Sequence, residues 1–482
     1  MRLGTCIAPD APALTARGDV ASAAPAAHGE VAPVDVADGR RERFLRAFAA
    51  ELERERLRWC VLRGHDSFPS PGPGRDLDLL VHPDDADRVA SLARSLARAH
   101  GVSTWEHRRA GFLEQLQFHA HEGPGRHAFF GLDLHRWEAC FGVPWMDAEH
   151  ALARTELVHG LRRPAPEIAA SANALGALLS GGTTPERHAA ELRAALARDR
   201  AAVERELARP FGPRLAHAIA DAAERGPVER ALSVRTLRRA LWTRSFARRP
   251  LASLAGALAH VHHARIAPLF RPRGRFFALL GTDGSGKSTV LDGVLTELRT
   301  AFGARNVHAF HLRPKLLPQL NALLHGGRTT YSLDDMKDPH RARPSGALGS
   351  NLRALWYAAD WTLGYFARVL PLRRAASIVA FDRYAHDYLV DPLRSRIRRD
   401  SALLRPICAL VPTPDRLYVC LAPLAAIRAR KQELSESESA LQLERYAALA
   451  ASHPRARRVD TSGTVQEAVD AVLCDLFAEE RA

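Results

Sequence analysis

A glycine-rich segment has the residue types and spacing needed to bind a chain of phosphates. Residues 281–289 read Gly-Thr-Asp-Gly-Ser-Gly-Lys-Ser-Thr and match the pattern G-x-x-x-x-G-K-[ST]. The apolar run 276–280 predicts a buried strand before it, and the amphipathic run 290–299 predicts a helix after it. Glycines let backbone N–H groups point at phosphate oxygens, and the helix N-terminus adds partial positive charge. The segment is therefore predicted to bind ATP or GTP; the alternative is a Gly-rich turn without a ligand.

Individual residues of this loop have separate expected roles. Lys287 is expected to reach the β- and γ-phosphates, and Ser288 to offer its hydroxyl to Mg²⁺. ATP and Mg²⁺ are the predicted cofactors. The predicted nucleotide-binding residues are Gly281, Asp283, Gly284, Ser285, Gly286, Lys287, Ser288 and Thr289.

Charged residues follow later apolar runs, where they could meet the phosphates. Asp382 and Arg383 follow the run 377–381, within a region whose alternating strands and helices predict a parallel sheet. Functional groups gather at the carboxyl ends of such strands. Asp382 is predicted to hold Mg²⁺ through water or to orient the attacking oxygen, and Arg383 to bind an anionic acceptor. The alternative for this pair is an ion pair or a helix cap.

Two arginines are candidates for a lid over the phosphates. Arg428 and Arg430 lie in a predicted helix after the strand predicted at 416–421. Phosphoryl transfer requires neutralisation of negative charge, which mobile arginines can supply. The alternative is an ordinary helical face on which these arginines pair with nearby glutamates, namely Glu433, Glu436 and Glu438.

A second group of carboxylates lies near the N-terminus. Asp76 and Asp78 are two residues apart at the start of a predicted strand, 77–81, so their side chains are expected on one face, where they could bind two Mg²⁺ ions. Asp133 is the predicted third carboxylate, on a strand expected at 129–134, with His135 on the same face. The alternative is a solvated strand edge.

The loop 281–289, taken with Asp382-Arg-Tyr384, resembles the thymidylate kinase family of nucleoside monophosphate kinases over about residues 273–482. The resemblance implies ATP-dependent phosphoryl transfer, with Asp382 and Arg383 near the acceptor phosphate. It also implies that Arg313 binds the acceptor and that Arg428 or Arg430 belongs to the lid. The run after Tyr384 differs from the family's, which favours an acceptor other than dTMP. The chain looks more like diverged relatives with an extra N-terminal domain, often associated with bacterial surface-polysaccharide loci.

The N-terminal carboxylates lie in a second pattern with a family resemblance. Leu62-Arg-Gly64-His65, a ten-residue gap and Asp76-Leu-Asp78-Leu are similar to the nucleotidyltransferase pattern. The resemblance implies an α+β fold in which Asp76, Asp78 and Asp133 hold metal. Whether this domain transfers nucleotides or only binds them is left open.

Composition restricts the classes of partner. The net charge of +14 comes from arginine, since the lysines are only Lys287, Lys315, Lys337 and Lys431, and no compact basic run is interleaved with aromatic residues. A small-molecule acceptor is therefore expected rather than nucleic acid.

The six cysteines contain no C-x-x-C pair. Asp360 and Arg368 interrupt the apolar segment 352–372, so no stable membrane insertion is expected. The N-terminus lacks the continuous apolar run of a signal peptide, which favours a cytoplasmic protein; a homodimer is left open.

These observations predict an α/β protein with several parts. Residues 1–38 form a disordered lead-in, 39–150 a nucleotidyltransferase-like α+β domain, 151–272 a helical region, and 273–482 a P-loop parallel sheet flanked by helices. The leading hypothesis is an ATP- and Mg²⁺-dependent kinase acting on a small phosphorylated or hydroxylated metabolite, either a nucleotide or a sugar intermediate. The alternatives are a true dTMP kinase and an ATP-binding regulatory module without a committed acceptor.

Overall fold

The computed structural model describes residues 39–63, 68–69, 76–158, 160–318, 346–431 and 435–478. The predicted lead-in 1–38 lies outside these ranges, as do Gly64, His65 and Glu433. The chain forms two compact units. Among the described residues, the N-terminal unit contains those within 39–120 and 130–264, and the C-terminal unit contains those within 265–478 together with 121–129.

A mixed five-stranded sheet forms early in the chain, and it includes the strands predicted at 77–81 and 129–134. Strand order is β1-β2-β5-β4-β3, with β2 antiparallel to β1 and parallel to β5. The strands are β1 (Trp59–Arg63), β2 (Leu77–Val81), β3 (Ser103–Ala110), β4 (Leu113–Gly123) and β5 (Arg126–His135). Two helices accompany them, α1 (Arg40–Arg54) and α2 (Ala86–Ala99). Helix α1 repeats apolar residues at helical spacing and buries Phe44 and Phe48, and Phe44 packs against Phe118 and Phe130.

The segment expected to be helical from 151 onward begins instead with a hairpin. Strands β6 (Trp137–Cys140) and β7 (Val143–Asp147) form one antiparallel pair, and β8 (Thr155–Val158) and β9 (Leu161–Pro164) form another. The prediction of helix throughout was therefore wrong for 155–164. The physical reason is local: Thr155 and Val158 are β-branched, and Gly160, with φ of 79°, allows the turn.

Helices occupy most of the rest of the N-terminal unit. The helices are α3 (Ala148–Leu152), α4 (Pro166–Gly181), α5 (Glu186–Phe211), α6 (Pro213–Arg225), α7 (Val228–Ala231), α8 (Val234–Arg248) and α9 (Pro250–Val261). The apolar faces of α4 to α9 meet in one core that includes Leu179, Leu192, Leu207 and Leu237. Helix α3 packs into a smaller core with Cys60 and Leu80.

A parallel sheet forms the centre of the C-terminal unit, as the alternating pattern predicted. The order β11-β12-β10-β13-β14 places β10 in the middle, with β12 and β13 on its two sides. The chain passes from β10 to β11 at one edge, returns through β12, and then crosses β10 to β13 and β14 on its other side. Ligands bind such sheets at the carboxyl ends of the strands where the order changes direction. The strands are β10 (Phe276–Leu280), β11 (Val307–His311), β12 (Ile378–Asp382), β13 (Arg416–Leu421) and β14 (Ala456–Asp460).

Helices and short turns complete the C-terminal unit. In the described part of the chain no helix is both long enough and apolar enough to cross a bilayer. The helices are α10 (Ala267–Phe270), α11 (Lys287–Phe302), α12 (Ala347–Gly364), α13 (Leu370–Arg374), α14 (Asp387–Val390), α15 (Leu404–Leu410), α16 (Leu424–Arg430), α17 (Glu436–Ser452) and α18 (Val465–Leu476), with 3₁₀ turns at Ala304–Asn306 and Pro392–Ser395 and π turns at His262–Ile266 and Tyr365–Val369.

Trp361 of α12 anchors the core beside the carboxyl end of β12. Its side chain is fully buried, and its ring centroid lies 5.5 Å from that of Phe381 and 4.2 Å from that of Tyr384. We expect Trp361→Ala to lower the free energy of unfolding of this unit by about 3–5 kcal/mol, because the cavity it leaves cannot collapse fully. Denaturant unfolding of the full chain measures this. Leu363→Ala on the same helix is the control, since Leu363 is 51% exposed, and an equal loss in both variants would contradict the assignment.

Candidate active site

The predicted phosphate loop lies where β10 passes into α11. Strand β10 ends at Leu280, and α11 begins at Lys287 with Gly286 as its N-cap residue. Gly281 has φ of 151°, and a Cβ atom there would lie 2.8 Å from the carbonyl oxygen of Cys420. Only glycine fits this position, so the backbone can curl around the helix N-terminus, as a phosphate-binding loop requires.

Several polar atoms at this loop fit phosphate and Mg²⁺. Thr282 Oγ1, Ser285 Oγ and Asp382 Oδ1 are buried, and none has a hydrogen-bond partner within the described ranges. Ser288 Oγ donates to Asp382 Oδ2 at 3.5 Å. A hydroxyl beside a carboxylate is an oxygen set suited to Mg²⁺. The residues present therefore fit a nucleotide with its metal.

Asp283 gathers three cations at the mouth of the loop. Arg383 Nη2 donates to Asp283 Oδ1 at 2.6 Å, and Lys287 Nζ lies 3.4 Å from the same oxygen. Arg394 Nη2 donates to the other oxygen, Oδ2. Burial alone would raise the pKa of Asp283, but the charges of Arg383, Arg394 and Lys287 lower it well below its usual range. Asp283 therefore stays ionised and holds all three cations together.

Arg383 is a buried and fixed cation. It follows β12 directly with φ of 70°, a conformation that costs energy for a residue with a side chain. Its Nη1 donates to Asp387 and, at 3.3 Å, to the hydroxyl of Tyr446, which itself donates to Asp387 Oδ1 at 2.6 Å. These contacts fix the guanidinium in one orientation, with its Nη2 at Asp283.

Lys287 lies under the loop in a confined environment. Its side chain is 8% exposed. Burial, and then the charge of Arg383, lower the pKa of Lys287. Crowding of these two cations makes the site receptive to a further anion, because phosphate oxygens would stabilise both of them.

The predicted lid arginines have separate contacts. Arg430 Nη2 donates to the carbonyl oxygen of Thr461 at 3.1 Å, and a Cβ atom on Gly286 would lie 3.5 Å from Arg430 Nη1. Arg430 therefore lies beside the phosphate loop. Arg428 Nε lies 3.8 Å from Glu436, which agrees with the alternative of an ion-paired helical face. The lid role stays a prediction for both.

Arg313 is held by α12. Its Nη1 donates to Asp360 Oδ2 at 3.0 Å, and its guanidinium lies 4.5 Å from the centroid of the Tyr357 ring. Asp360 is fully buried and also accepts from the backbone N–H of Leu317 at 2.7 Å. These contacts place Arg313 against α12, and its role toward an acceptor stays a prediction.

Sequence reasoning missed four residues of this site. Arg394, Asp387 and Tyr446 join the network around Arg383, and His311 Nδ1 lies 3.2 Å from Asp382 Oδ2. Asp387 and Arg394 both follow the Asp382-Arg-Tyr384 motif closely, so the charges in that run were the available signal. Tyr446 lies far along the chain, in α17, and gave no local signal.

The N-terminal carboxylates also come together. Asp78 of β2 lies opposite Asp133 of β5. Burial, followed by the charge of Asp78, raises the pKa of Asp76 to about 6. Burial, followed by the charges of Asp78 and Asp76, raises the pKa of Asp133 well above its usual range. His135 offers a third ligand atom, a ring nitrogen, within 4.8 Å of the oxygens of Asp78 and Asp133.

An arginine already neutralises part of this acidic cluster. Arg63 Nε donates to Asp78 Oδ2, and Arg63 Nη2 donates to Glu138 Oε1 at 3.0 Å. Asp133 accepts from the Gln115 amide at 3.0 Å. The oxygens and the imidazole fit a divalent cation, and Arg63 competes with it for Asp78.

Comparison with known proteins gives partial similarity. No protein-family model and no curated protein matches the chain. It is similar to the solved thymidylate kinase of Ehrlichia chaffeensis, with 16% identity and a TM-score of 0.30, over 42% of this chain and 100% of that chain. It is also similar to the solved thymidylate kinase of Candida albicans, with 19% identity and a TM-score of 0.31, over 42% of this chain and 90% of that chain. These values are too low to support a conclusion about fold or function.

The Asp283 ion pairs predict a pH-dependent contribution to stability. We expect Asp283→Asn to lower the free energy of unfolding at pH 7 by about 2–3 kcal/mol, because Arg383 and Arg394 each lose one of their two carboxylate partners. The folded-state pKa of Asp283 is depressed, so this contribution is full above the unfolded pKa and is lost as pH falls. The difference between variant and wild type should therefore shrink below about pH 4.

Denaturant unfolding between pH 7 and pH 3 measures this difference. Asp400→Asn is the matched control, because Asp400 pairs with Arg398 on the surface, where ion pairs contribute little. A penalty for Asp283→Asn that is constant across this pH range would contradict the assignment.

Proposed function

We propose that the C-terminal unit is an ATP- and Mg²⁺-dependent kinase that transfers the γ-phosphate to a small phosphorylated or hydroxylated metabolite, either a nucleotide or a sugar intermediate. One observation carries the proposal: Lys287, Arg383 and Arg394 converge on Asp283 at the mouth of a phosphate loop. A loop that only binds ATP needs Lys287. Arg383 follows the carboxyl end of β12 and Arg394 lies in the turn Pro392–Ser395. Together they supply a separate anion-binding group beside it.

The residues divide into a donor side and an acceptor side. The loop N–H groups and Lys287 would bind the β- and γ-phosphates, and Ser288 with Asp382 would hold Mg²⁺. When bound, Mg²⁺ neutralises charge that develops on the phosphate oxygens. Asp382 and His311 are in contact, so a proton from an attacking hydroxyl has two acceptors at this strand end.

Arg383 and Arg394 would bind the acceptor in different ways. Arg383 is 3% exposed and held by Asp387 and Tyr446, so it is oriented before any ligand arrives. Arg394 is 21% exposed, and its contacts are with Asp283 and Asp391. A phosphate or carboxylate group of the acceptor would replace Asp283 as the partner of Arg394. Pre-orientation of Arg383 lowers the entropy that must be lost when the acceptor binds.

Two alternatives predict different products. A true dTMP kinase would phosphorylate dTMP rapidly. A regulatory module would hydrolyse or hold ATP without an acceptor, and Arg383 and Arg394 would then have no role in turnover. The cytoplasmic location, the homodimer and the absence of nucleic-acid binding stay predictions.

Phosphate transfer from γ-labelled ATP into a panel of nucleoside monophosphates and sugar intermediates tests the proposal. We expect one acceptor class to gain label, and Lys287→Ala and Arg383→Ala each to lower the rate by about 10²-fold or more, since each removes a charge that stabilises the transferred group. Arg394→Ala should mainly raise the acceptor KM.

Arg299→Ala is the matched control, because this arginine lies in the last turn of α11 and should leave the rate unchanged. Label appearing only as free phosphate, with Arg383→Ala fully active, would favour the regulatory module and refute the kinase. Label in dTMP at a high rate would select the dTMP kinase alternative.

We propose in addition that the carboxylates of the N-terminal unit bind a divalent cation. Asp76 Oδ1 and both ring nitrogens of His135 are buried without a hydrogen-bond partner among the described residues, and they lie in the same cluster as Asp78 and Asp133. Buried polar atoms of this kind are costly unless a ligand satisfies them. Nucleotidyl transfer by this unit stays a prediction.

Removal of Arg63 should strengthen cation binding. We expect Arg63→Met to raise the Mn²⁺ affinity of the full chain roughly tenfold, because about 1.4 kcal/mol of competing ion-pair energy is lost. Titration of Mn²⁺ by electron paramagnetic resonance measures this, and Asp78→Asn should abolish the gain. Arg58→Met is the control, since Arg58 pairs with Asp85 instead. Equal Mn²⁺ affinity in wild type and Arg63→Met would refute the proposal.

A further inference from the structure

A cavity of about 300 Å³ in the N-terminal unit combines arginines with an apolar wall. Arg209, Arg244, Arg248 and Arg249 line it, with Glu206 as its carboxylate. Ile168, Leu175 and Met146 contribute apolar surface to the same cavity. Small-molecule sites commonly have this composition, with an apolar lining and a few polar groups that fix orientation, and their volumes begin near 300 Å³.

Two of the arginines bind one backbone carbonyl. Arg244 Nε donates to the carbonyl oxygen of Arg209 at 3.1 Å, and Arg248 Nη1 donates to the same oxygen at 2.8 Å. This carbonyl has no helical donor, because the residue four positions later is Pro213. One guanidinium would satisfy it. The second brings another positive charge to the same point, at a cost in like-charge repulsion.

The available carboxylate does not balance these charges. Glu206 lies 2.7 Å from His150 Nε2 and 3.3 Å from Arg209 Nε. Arg244 and Arg248 have no carboxylate partner within the described ranges, and each guanidinium carries five N–H groups. Their remaining donors are therefore available to an anion in the cavity.

Two further polar atoms point to a ligand larger than an inorganic ion. Ser171 Oγ and Trp145 Nε1 are buried, lack a hydrogen-bond partner in the part of the chain that is described, and belong to residues that line the cavity. Both can donate a hydrogen bond, and an unsatisfied buried donor costs about 1–3 kcal/mol. The aromatic face of Trp145 also suits a flat or cyclic body.

We propose that this cavity binds an organic phosphate, a small phosphorylated metabolite with a cyclic body. Arg244 and Arg248 bind its phosphate group as planar donors matched to phosphate oxygens. Ser171 and Trp145 bind polar atoms of the body, and Ile168 and Leu175 contact its apolar faces. This site belongs to the N-terminal unit and is separate from the phosphate loop and from the carboxylates around Asp78.

Calorimetric titration of the full chain carrying Lys287→Ala tests the proposal, because that variant weakens phosphate binding at the loop. The probes are inorganic phosphate, glucose 1-phosphate and AMP. We expect at least one of the two organic phosphates to bind more tightly than inorganic phosphate. Arg244→Ala should weaken its binding roughly tenfold or more, as expected for loss of a charged donor. Ser171→Ala should weaken organic phosphate binding and leave inorganic phosphate binding unchanged.

Arg235→Ala is the matched control, since Arg235 lies on the same helix, α8, and does not line the cavity. The unfolding midpoints of all variants show whether Arg244→Ala weakens binding only because it destabilises the fold. In that case Ser171→Ala still tests the proposal, because it removes one hydroxyl and leaves every arginine in place. Absence of binding for all three probes would overturn the proposal. Equal losses of organic phosphate affinity in Arg235→Ala and Arg244→Ala would also overturn the proposal.

Discussion

The ion pairs of Asp283 set the arrangement of the C-terminal unit at the end of its sheet. This carboxylate lies in the loop after β10 and holds Lys287 from α11, Arg383 from the end of β12 and Arg394 from the turn beyond it. Two parts of the chain at least 100 residues apart, the loop after β10 and the segment after β12, are thus fixed at one point. The parallel sheet brings the segments to one edge, but only the charges determine their orientation. The strained backbone of Arg383 persists because Asp283, Asp387 and Tyr446 together outweigh its cost.

The sequence predicted the parts of the structure that local patterns control. The strands at 276–280 and 416–421 matched their predicted bounds because each is a buried apolar run in a parallel sheet. The predicted phosphate loop could be recognised because its glycines and Lys287 all fall within residues 281–287. Asp387 and Arg394 were missed as partners because an ion-pair network depends on the fold, and no spacing rule links Arg383 to Tyr446. The hairpin formed by β8 and β9 was missed because strands of four residues carry little periodic signal.

In the N-terminal unit, Arg63 changes the electrostatic environment of the three carboxylates predicted to bind metal. Asp76, Asp78 and Asp133 gather as their spacing predicted, yet Arg63 places a guanidinium on Asp78. That contact follows from strand register, because β1 pairs with β2 so that Arg63 lies opposite Asp78. An acidic cluster with an internal cation is more stable without metal than three bare carboxylates would be. The chemistry of this unit therefore depends on how readily Arg63 leaves, as well as on the carboxylates themselves.

The buried network of Arg383, Asp387 and Tyr446 also restricts how this protein can change over generations. Each member is almost fully buried, and each satisfies a polar group of another. Loss of any one leaves a charge or a hydroxyl in a dry environment without its partner. A single substitution at any of these positions therefore lowers the free energy of unfolding, whichever of the three residues changes first. Variation that reorients this guanidinium has to come as linked replacements, so the position of this buried cation should change in jumps in descendants of this chain instead of by gradual drift.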